Sequence, residues 1–256
     1  MGAVAACGAF TRRRRLGGLG LAPSGAVALI PTGIAALIAW RGAGTPLDDY
    51  QRYAAPLCLS FVLPFVAMFT TLPILGELYD KGAMGYVYTR PAPRWAPLLG
   101  LFQGALLAML PVMVLSALGP ALVMMLLDRG ATGIAEWLPA VGGVAAALTV
   151  GTVVDTAICV LLGVWSRRSI LWALLVLVVW GSVVGNLPGS LRDTSPHRYL
   201  TALLRQWGNI DPQVDLIVLP VDPEPPSAGV ALAALGATTV LCLFLSWRAS
   251  RRRDIL

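Results

Sequence analysis

The chain is 256 residues long, 57% hydrophobic and only 12% charged, with a mean hydropathy of +0.75 and a net charge of +6. A soluble globular domain is about a quarter charged, so too little polar surface exists here to cover a water-soluble body of this size. The basic residues gather at the ends of apolar runs, which assigns the positive charge to bilayer topology and excludes a nucleic-acid surface as its explanation.

Residues 1–21 form a basic N-terminal segment carrying Arg12 to Arg15. An Arg run before an apolar stretch mimics a signal peptide, but Pro31 and the lack of a small-x-small cleavage site argue for a retained first span. A helix needs about 20 apolar residues to cross the hydrocarbon core. Six stretches qualify, at about 22–40, 54–76, 96–127, 139–165, 169–187 and 227–247. The third is long for one straight span. Pro111 and Pro120 allow a bend, and cutting it at Pro111 leaves two pieces too short to cross. The expected fold is therefore an all-α membrane protein of six spans, residues 22–247, with a basic tail at 248–256.

Between the second and third spans lies a charged segment, 77–95, flanked by runs Ala54–Leu75 and Ala96–Leu127 that hold no charged residue. It starts acidic (Glu77, Asp80), passes Tyr79, Lys81, Gly82, Met84, Gly85, Tyr86 and Tyr88, and ends Arg90-Pro91-Ala92-Pro93-Arg94-Trp95. The acidic start and the glycines suit a short helix that ends in a turn, and the prolines reset the chain for the next span. A loop that only needs to be solvated has no use for three tyrosines and a methionine.

Within the fourth span stands one ionisable residue, Asp155, in Gly151-Thr152-Val153-Val154-Asp155-Thr156. A carboxylate at that depth is costly unless paired or facing water. It lies on a substrate or proton path, or it is bonded structurally to Thr152, Thr156 or another helix. Gln103 and Asn186 are milder polar positions near span ends, and Gln103 joins Asp155 as a candidate lining the path. Two G-x-x-x-G pairs, Gly100/Gly104 and Gly181/Gly185, permit close helix approach and could form a dimer seam.

The longest loop, 188–226, holds its own helix signal. Ser195 can cap a helix with Pro196 at its first position. Leu200, Leu203, Leu204 and Trp207 then share one face, with Arg198 and Arg205 off it. This is the pattern of an amphipathic helix lying on the outer membrane surface or covering the bundle. His197 is expected as a solvated position in its first turn. Pro212, Pro220, Pro223, Pro225 and Pro226 make the stretch Asp211–Pro226 an extended connector.

Orientation follows from the nineteen Lys and Arg residues. Thirteen fall in one set of loops: Arg12 to Arg15, Lys81, Arg90, Arg94, Arg167, Arg168, Arg248 and Arg251 to Arg253. The other set holds six: Arg41, Arg52, Arg129, Arg192, Arg198 and Arg205. The first set is cytoplasmic, so both termini and the segment 77–95 are inside and the loop 188–226 is outside.

Several chemistries are missing from the sequence. The one lysine, Lys81, is followed by Gly82, where a phosphate loop needs Gly-Lys and then Ser or Thr. The one histidine, His197, gives no zinc set and no Ser–His couple within the spans. Cys7, Cys58, Cys159 and Cys242 form no C-x-x-C pair and read as small buried hydrophobes.

The segment 77–95 resembles the membrane subunits of type-2 ATP-binding-cassette exporters. That family carries, after its second span, a Glu, then Lys/Arg-Gly-Thr, an aliphatic or aromatic pair, and a Pro turn followed by Arg. Here Glu77, Lys81-Gly82-Ala83, Tyr86 with Tyr88, and Arg90-Pro91-Ala92-Pro93-Arg94 match it, with Ala83 where Thr is usual. The lysine often found at the start of the family's next span is missing. The tail Trp247-Arg248-Ala249-Ser250-Arg251-Arg252-Arg253-Asp254 is similar to the family's endings, and a large outer loop before the last span fits as well.

The resemblance implies a permease subunit in the plasma membrane of a bacterium, in which Glu77, Tyr79, Asp80, Lys81, Gly82, Tyr86, Arg90 and Arg94 form a coupling helix. It implies a cytoplasmic ATPase dimer as partner, a second permease copy or paralogue, and contact with membrane lipid. ATP and Mg would bind the ATPase, leaving this chain with no cofactor, no metal and no catalytic residue. The cargo would be an amphipathic drug, natural product or lipid-like molecule. Two rivals belong to other classes: a polytopic enzyme acting on lipid, and a membrane or immunity protein that transports nothing.

Overall fold

The fold is that of a computed structural model, which describes residues 22–41, 45–80, 95–128, 133–166, 168–184, 190–208 and 225–253, with positions 4, 7–9 and 11 near the N-terminus. From residue 22 onward the described residues form seven helices and one short 3₁₀ turn. Helix α1 is Ala22–Arg41. Helix α2 is one continuous stretch: Pro46–Asp49, a π-helical turn Tyr50–Ala54, Ala55–Leu57, a second π turn Cys58–Val62, and Leu63–Asp80. Helix α3 is Ala96–Leu127 and α4 is Ile134–Trp165. Helix α5 starts at Ser169–Ala173 and continues as a π-helix over Leu174–Val184. The 3₁₀ turn, Ser190–Thr194, leads into α6, Pro196–Gly208, and α7 is Ala228–Arg253. No strand occurs among the described residues.

Among the described residues, five helices are long and apolar enough to cross a membrane: Ala22–Arg41, Pro46–Gly76, Ala96–Leu127, Ile134–Trp165 and Ala228–Ser250. Of the segment expected to cross at 169–187, residues 169–184 are helical, but the apolar stretch Ser169–Gly181 falls short of that length. The chain is thus an all-helical, multi-pass membrane protein. Large side chains left exposed, among them Leu29, Leu37, Leu115, Leu122, Leu126, Leu138, Val240 and Leu241, would be a liability in water and suit hydrocarbon. Trp40, Trp95, Trp165 and Trp172 stand exposed near helix ends, where an aromatic belt meets the headgroups.

Prolines shape α2. Pro56 and Pro64 have no N–H to give to the carbonyl one turn back. A widened turn sits just before each, closed by Ala55 N–H to the Tyr50 carbonyl and by Leu63 N–H to the Cys58 carbonyl. In α3, Pro120 leaves the Ser116 carbonyl without its helical donor. Helix α2 supplies a replacement: the Cys58 thiol donates to the Ser116 carbonyl at 3.3 Å, and beside it the Tyr50 hydroxyl adds a bond to the Ala117 carbonyl at 3.3 Å. Within a bilayer such repairs must come from the protein.

Helix α4 is the centre, packed against α2, α3, α5, α6 and α7. Its small residues admit its neighbours. A side chain at Gly151 would strike Leu63 of α2, with Leu200 of α6 close behind, and one at Gly163 would strike Leu75 of α2. The same device serves α3, where Gly100 receives Cys7, Gly104 receives Thr11 and Gly119 receives Thr32 of α1. The contacts at Gly151 and Gly163 make α2 parallel to α4, as alternate crossings require, and Cys7, Thr11 and Thr32 meet α3 in the order of the chain. A buried hydrogen bond between Ser24 and Thr70, 3.0 Å, ties α1 to α2.

Candidate functional site

The polar interior of the bundle is built at the level of Asp155. The carboxylate sits on α4, whose run Ala140, Gly143, Val144, Ala147, Leu148, Gly151 is buried against the neighbouring helices. Asp155 is itself only 6% exposed. Thr152 and Thr156 do not bond it. The Thr152 hydroxyl donates to the Leu148 carbonyl and the Thr156 hydroxyl to the Thr152 carbonyl, each at 2.6 Å, and Thr156 also reaches Met109 Sδ at 3.4 Å. Among the described residues Asp155 has no hydrogen-bond or ion-pair partner.

It lines a partly open cavity of about 40 Å³ formed by four elements. Ser60, Leu63 and Pro64 come from α2, Asp155 and Ile158 from α4, Leu177, Trp180 and Gly181 from α5, and His197 and Leu200 from α6. The two π-helical segments, Cys58–Val62 and Leu174–Val184, stand on this cavity, and each contributes lining residues. On its wall the Ser60 hydroxyl and His197 Nε2 share a hydrogen bond of 3.2 Å.

Helix α6 carries His197 there because, of the two courses expected, it takes the second and packs on the bundle. Its apolar face is as expected: Leu200, Leu203 and Leu204 are buried and Trp207 packs beside them on the core. Its partner and direction are what the sequence did not give. Gly208 meets Gly143 of α4, while Leu200 meets Gly151, so α6 runs antiparallel to α4 with its first turn toward the middle of the bundle. His197 accordingly is no solvated position. Ser195 stands just before the helix, but its hydroxyl donates to the Gly181 carbonyl at 3.2 Å and moors α6 to α5. Arg198 is ion-paired with Asp193, and the Tyr199 hydroxyl donates to the Asp193 carbonyl at 2.9 Å, bracing the turn before the helix.

The other sequence candidates are placed elsewhere. Gln103 is exposed on α3, near Gly8, and does not reach the Asp155 cavity. The reason is the N-terminal segment. Gly100 and Gly104 receive Val4, Cys7, Gly8 and Thr11 so closely that a methyl group at either would clash, and Gln103 stands on the same side. The close approach at Gly100 and Gly104 is therefore made within one chain. Gly181 is less crowded: its carbonyl accepts from Ser195, a methyl there would meet only His197 at 4.0 Å, and Gly185 lies outside the described residues. Glu77, Tyr79 and Asp80 prolong α2 as helical backbone. Lys81, Gly82, Tyr86, Arg90 and Arg94 lie outside the described residues, as does Asn186.

Ser60 and Trp180 are not marked by any sequence motif. Ser60 is a lone hydroxyl in an apolar run, four residues before a proline, and that spacing is the one available signal. Set against known proteins, the chain matches no family model and no curated protein.

Proposed function

We propose that the chain is the membrane-spanning permease subunit of an ATP-driven exporter, working in the plasma membrane with a separate ATPase pair and a second permease copy or paralogue. The observation that carries this reading is the segment 77–95. It joins two bilayer-length helices, begins as a helical extension of α2, and holds Glu77, Lys81-Gly82, Tyr86 and Arg90-Pro91-Ala92-Pro93-Arg94 in the order of an ATPase-coupling helix. Charged groups at its start can be read by charge-assisted hydrogen bonds, and Tyr79 and Tyr86 are the type of anchor that dominates an interface. The sixth crossing is part of the proposal, with α5 and α6 together making up the short fifth passage. The cargo is amphipathic, since a path lined by these helices offers few charges to a polar solute.

The test is purification of the tagged chain from its native membranes, with mass spectrometry of the proteins retained. An ATPase with a phosphate loop should co-purify with the wild type and be lost with Glu77→Arg. Breaking one partner of a desolvated charge pair costs about 2–5 kcal/mol, and reversal adds repulsion. Equal recovery with both chains, or no ATPase with either, would leave segment 77–95 a solvated loop and favour a lipid enzyme or a non-transporting membrane protein.

A further inference from the structure

Any ATP-driven cycle leaves unused the ionisable pair at the centre of the bundle. Asp155 is more than nine-tenths buried, has no bonding partner among the described residues, and opens onto a cavity whose wall also carries the hydrogen-bonded Ser60 and His197. At about 40 Å³ the cavity is far below the roughly 300 Å³ at which drug-sized ligand sites begin. A water needs about 10–15 Å³ on this measure and two or more polar partners, so the space suits about three waters. The Asp155 carboxylate and the Ser60 hydroxyl, itself held by His197, supply the partners.

The ionisable surroundings are sparse. The runs Ala54–Leu75, Ala96–Leu127, Ser169–Val184 and Ala228–Trp247, which belong to the helices around α4, hold no charged residue. Arg198 on α6 is engaged by Asp193. Cys58 on α2 is turned to Ser116, and Cys242 lies on α7. On α4 itself Cys159 sits one turn from Asp155 and Glu136 stands in the first turn. His197 is the one other ionisable side chain among the described residues on the cavity wall. No fixed cation lines the cavity, so a carboxylate there must be neutralised by something that enters.

We propose that Asp155, Ser60 and His197 frame a hydrated proton-binding site in the membrane domain, with Asp155 as the group that takes up and releases the proton. In the uptake step a cavity water passes H⁺ to a carboxylate oxygen, the O–H bond forms, and the water is restored from its neighbours. Nothing is oxidised or reduced. Ser60 holds the water in line with the hydrogen-bonding capacity its hydroxyl retains, and His197 orients that hydroxyl through Nε2. The two widened helical segments beside the cavity are what open room for it, since π turns displace side chains that an α-helix would pack.

The experiment is infrared difference spectroscopy of the purified chain in liposomes, stepped between about pH 5 and about pH 9, a range wide enough for carboxyl titration in a protein interior. The wild-type spectrum should hold a protonated-carboxyl C=O band that grows as pH falls, shifts down in D₂O, and is missing in Asp155→Asn. A folding check on the variant by circular dichroism and gel filtration accompanies it. Should Asp155→Asn fail to fold, Ile158→Phe, which fills the cavity while keeping the carboxyl, should keep the band and slow or abolish its D₂O shift. A wild-type spectrum with no carboxyl band that titrates and exchanges overturns the proposal, as does a band unchanged in a folded Asp155→Asn. The readout needs neither ATPase nor cargo, so its outcome is independent of the exporter reading.

Discussion

The thiol of Cys58 donates to the carbonyl of Ser116 at 3.3 Å, and that carbonyl is the one Pro120 leaves without a helical amide. A proline in α3 is thus repaired by a cysteine in α2. Cys58→Ala should destabilise the bundle by about 1 kcal/mol, in the range of single interhelical hydrogen bonds in membranes. In a Pro120→Ala background the amide returns and the cysteine loses its task. Thermal unfolding in detergent of the two single variants and the double variant should give a coupling of about 0.5 kcal/mol or more. Strictly additive effects would mean that the thiol only fills space.

Two adjacent glycines of α4 behave oppositely. A methyl at Gly143 would lie 2.3 Å from the backbone of Gly208, and backbone cannot step aside as a side-chain tip can. A methyl at Gly142 meets nothing within 4 Å. Gly143→Ala should cost about 1–3 kcal/mol and loosen α6, whereas Gly142→Ala should be neutral or gain up to about 1 kcal/mol. Limited proteolysis near Gln206, with melting temperature alongside, separates the two. Equal behaviour would deny that α6 seats on α4 at this point.

Much of the helical framework is written in the charge pattern. Helix α3 begins and ends where its uncharged run does, at Ala96 and Leu127, because a charged residue is expelled from hydrocarbon whatever the local propensity. The apolar face of α6 is likewise legible, since Leu200, Leu203 and Leu204 repeat at helical spacing. What the sequence hid is tertiary. Periodicity says that α6 has a buried face but not which helix takes it, and that depended on Gly143 and Gly151, far upstream in the chain. Ser60 and His197 are 137 positions apart and carry no shared pattern, so their hydrogen bond could only be seen in three dimensions. The early start of α2 at Pro46 was hidden by Asp48, Asp49 and Arg52, which read as loop and instead occupy its first turns.

That long-range bond is itself open to measurement. Ser60 on α2 and His197 on α6 satisfy each other on a wall that is otherwise mostly apolar. Ser60→Ala removes the partner of Nε2 and should cost about 1 kcal/mol, within the range of interhelical bonds in membranes. His197→Gln keeps a group that can still reach the hydroxyl and should cost less than His197→Leu, which leaves the hydroxyl without it. Melting temperatures in detergent rank the three variants. Equal losses for His197→Gln and His197→Leu would show that the ring contributes by packing and not through its nitrogen.

The direction of the bundle in the membrane is open to a direct check. Lys81 belongs to the loops with thirteen basic residues, and Asp215 to those with six, so the two should lie on opposite sides. The packing agrees, since α2 runs parallel to α4 while α6, which leads into the loop of Asp215, runs antiparallel to it. Cys58, Cys159 and Cys242 are buried and free, which keeps their background low toward a membrane-impermeant thiol reagent, and Cys7→Ser removes the fourth. In that background Asp215→Cys should label on intact cells, while Lys81→Cys should label only once the membrane is opened. Labelling of Lys81→Cys from outside would invert the topology, and with it the claim that segment 77–95 can meet a cytoplasmic ATPase.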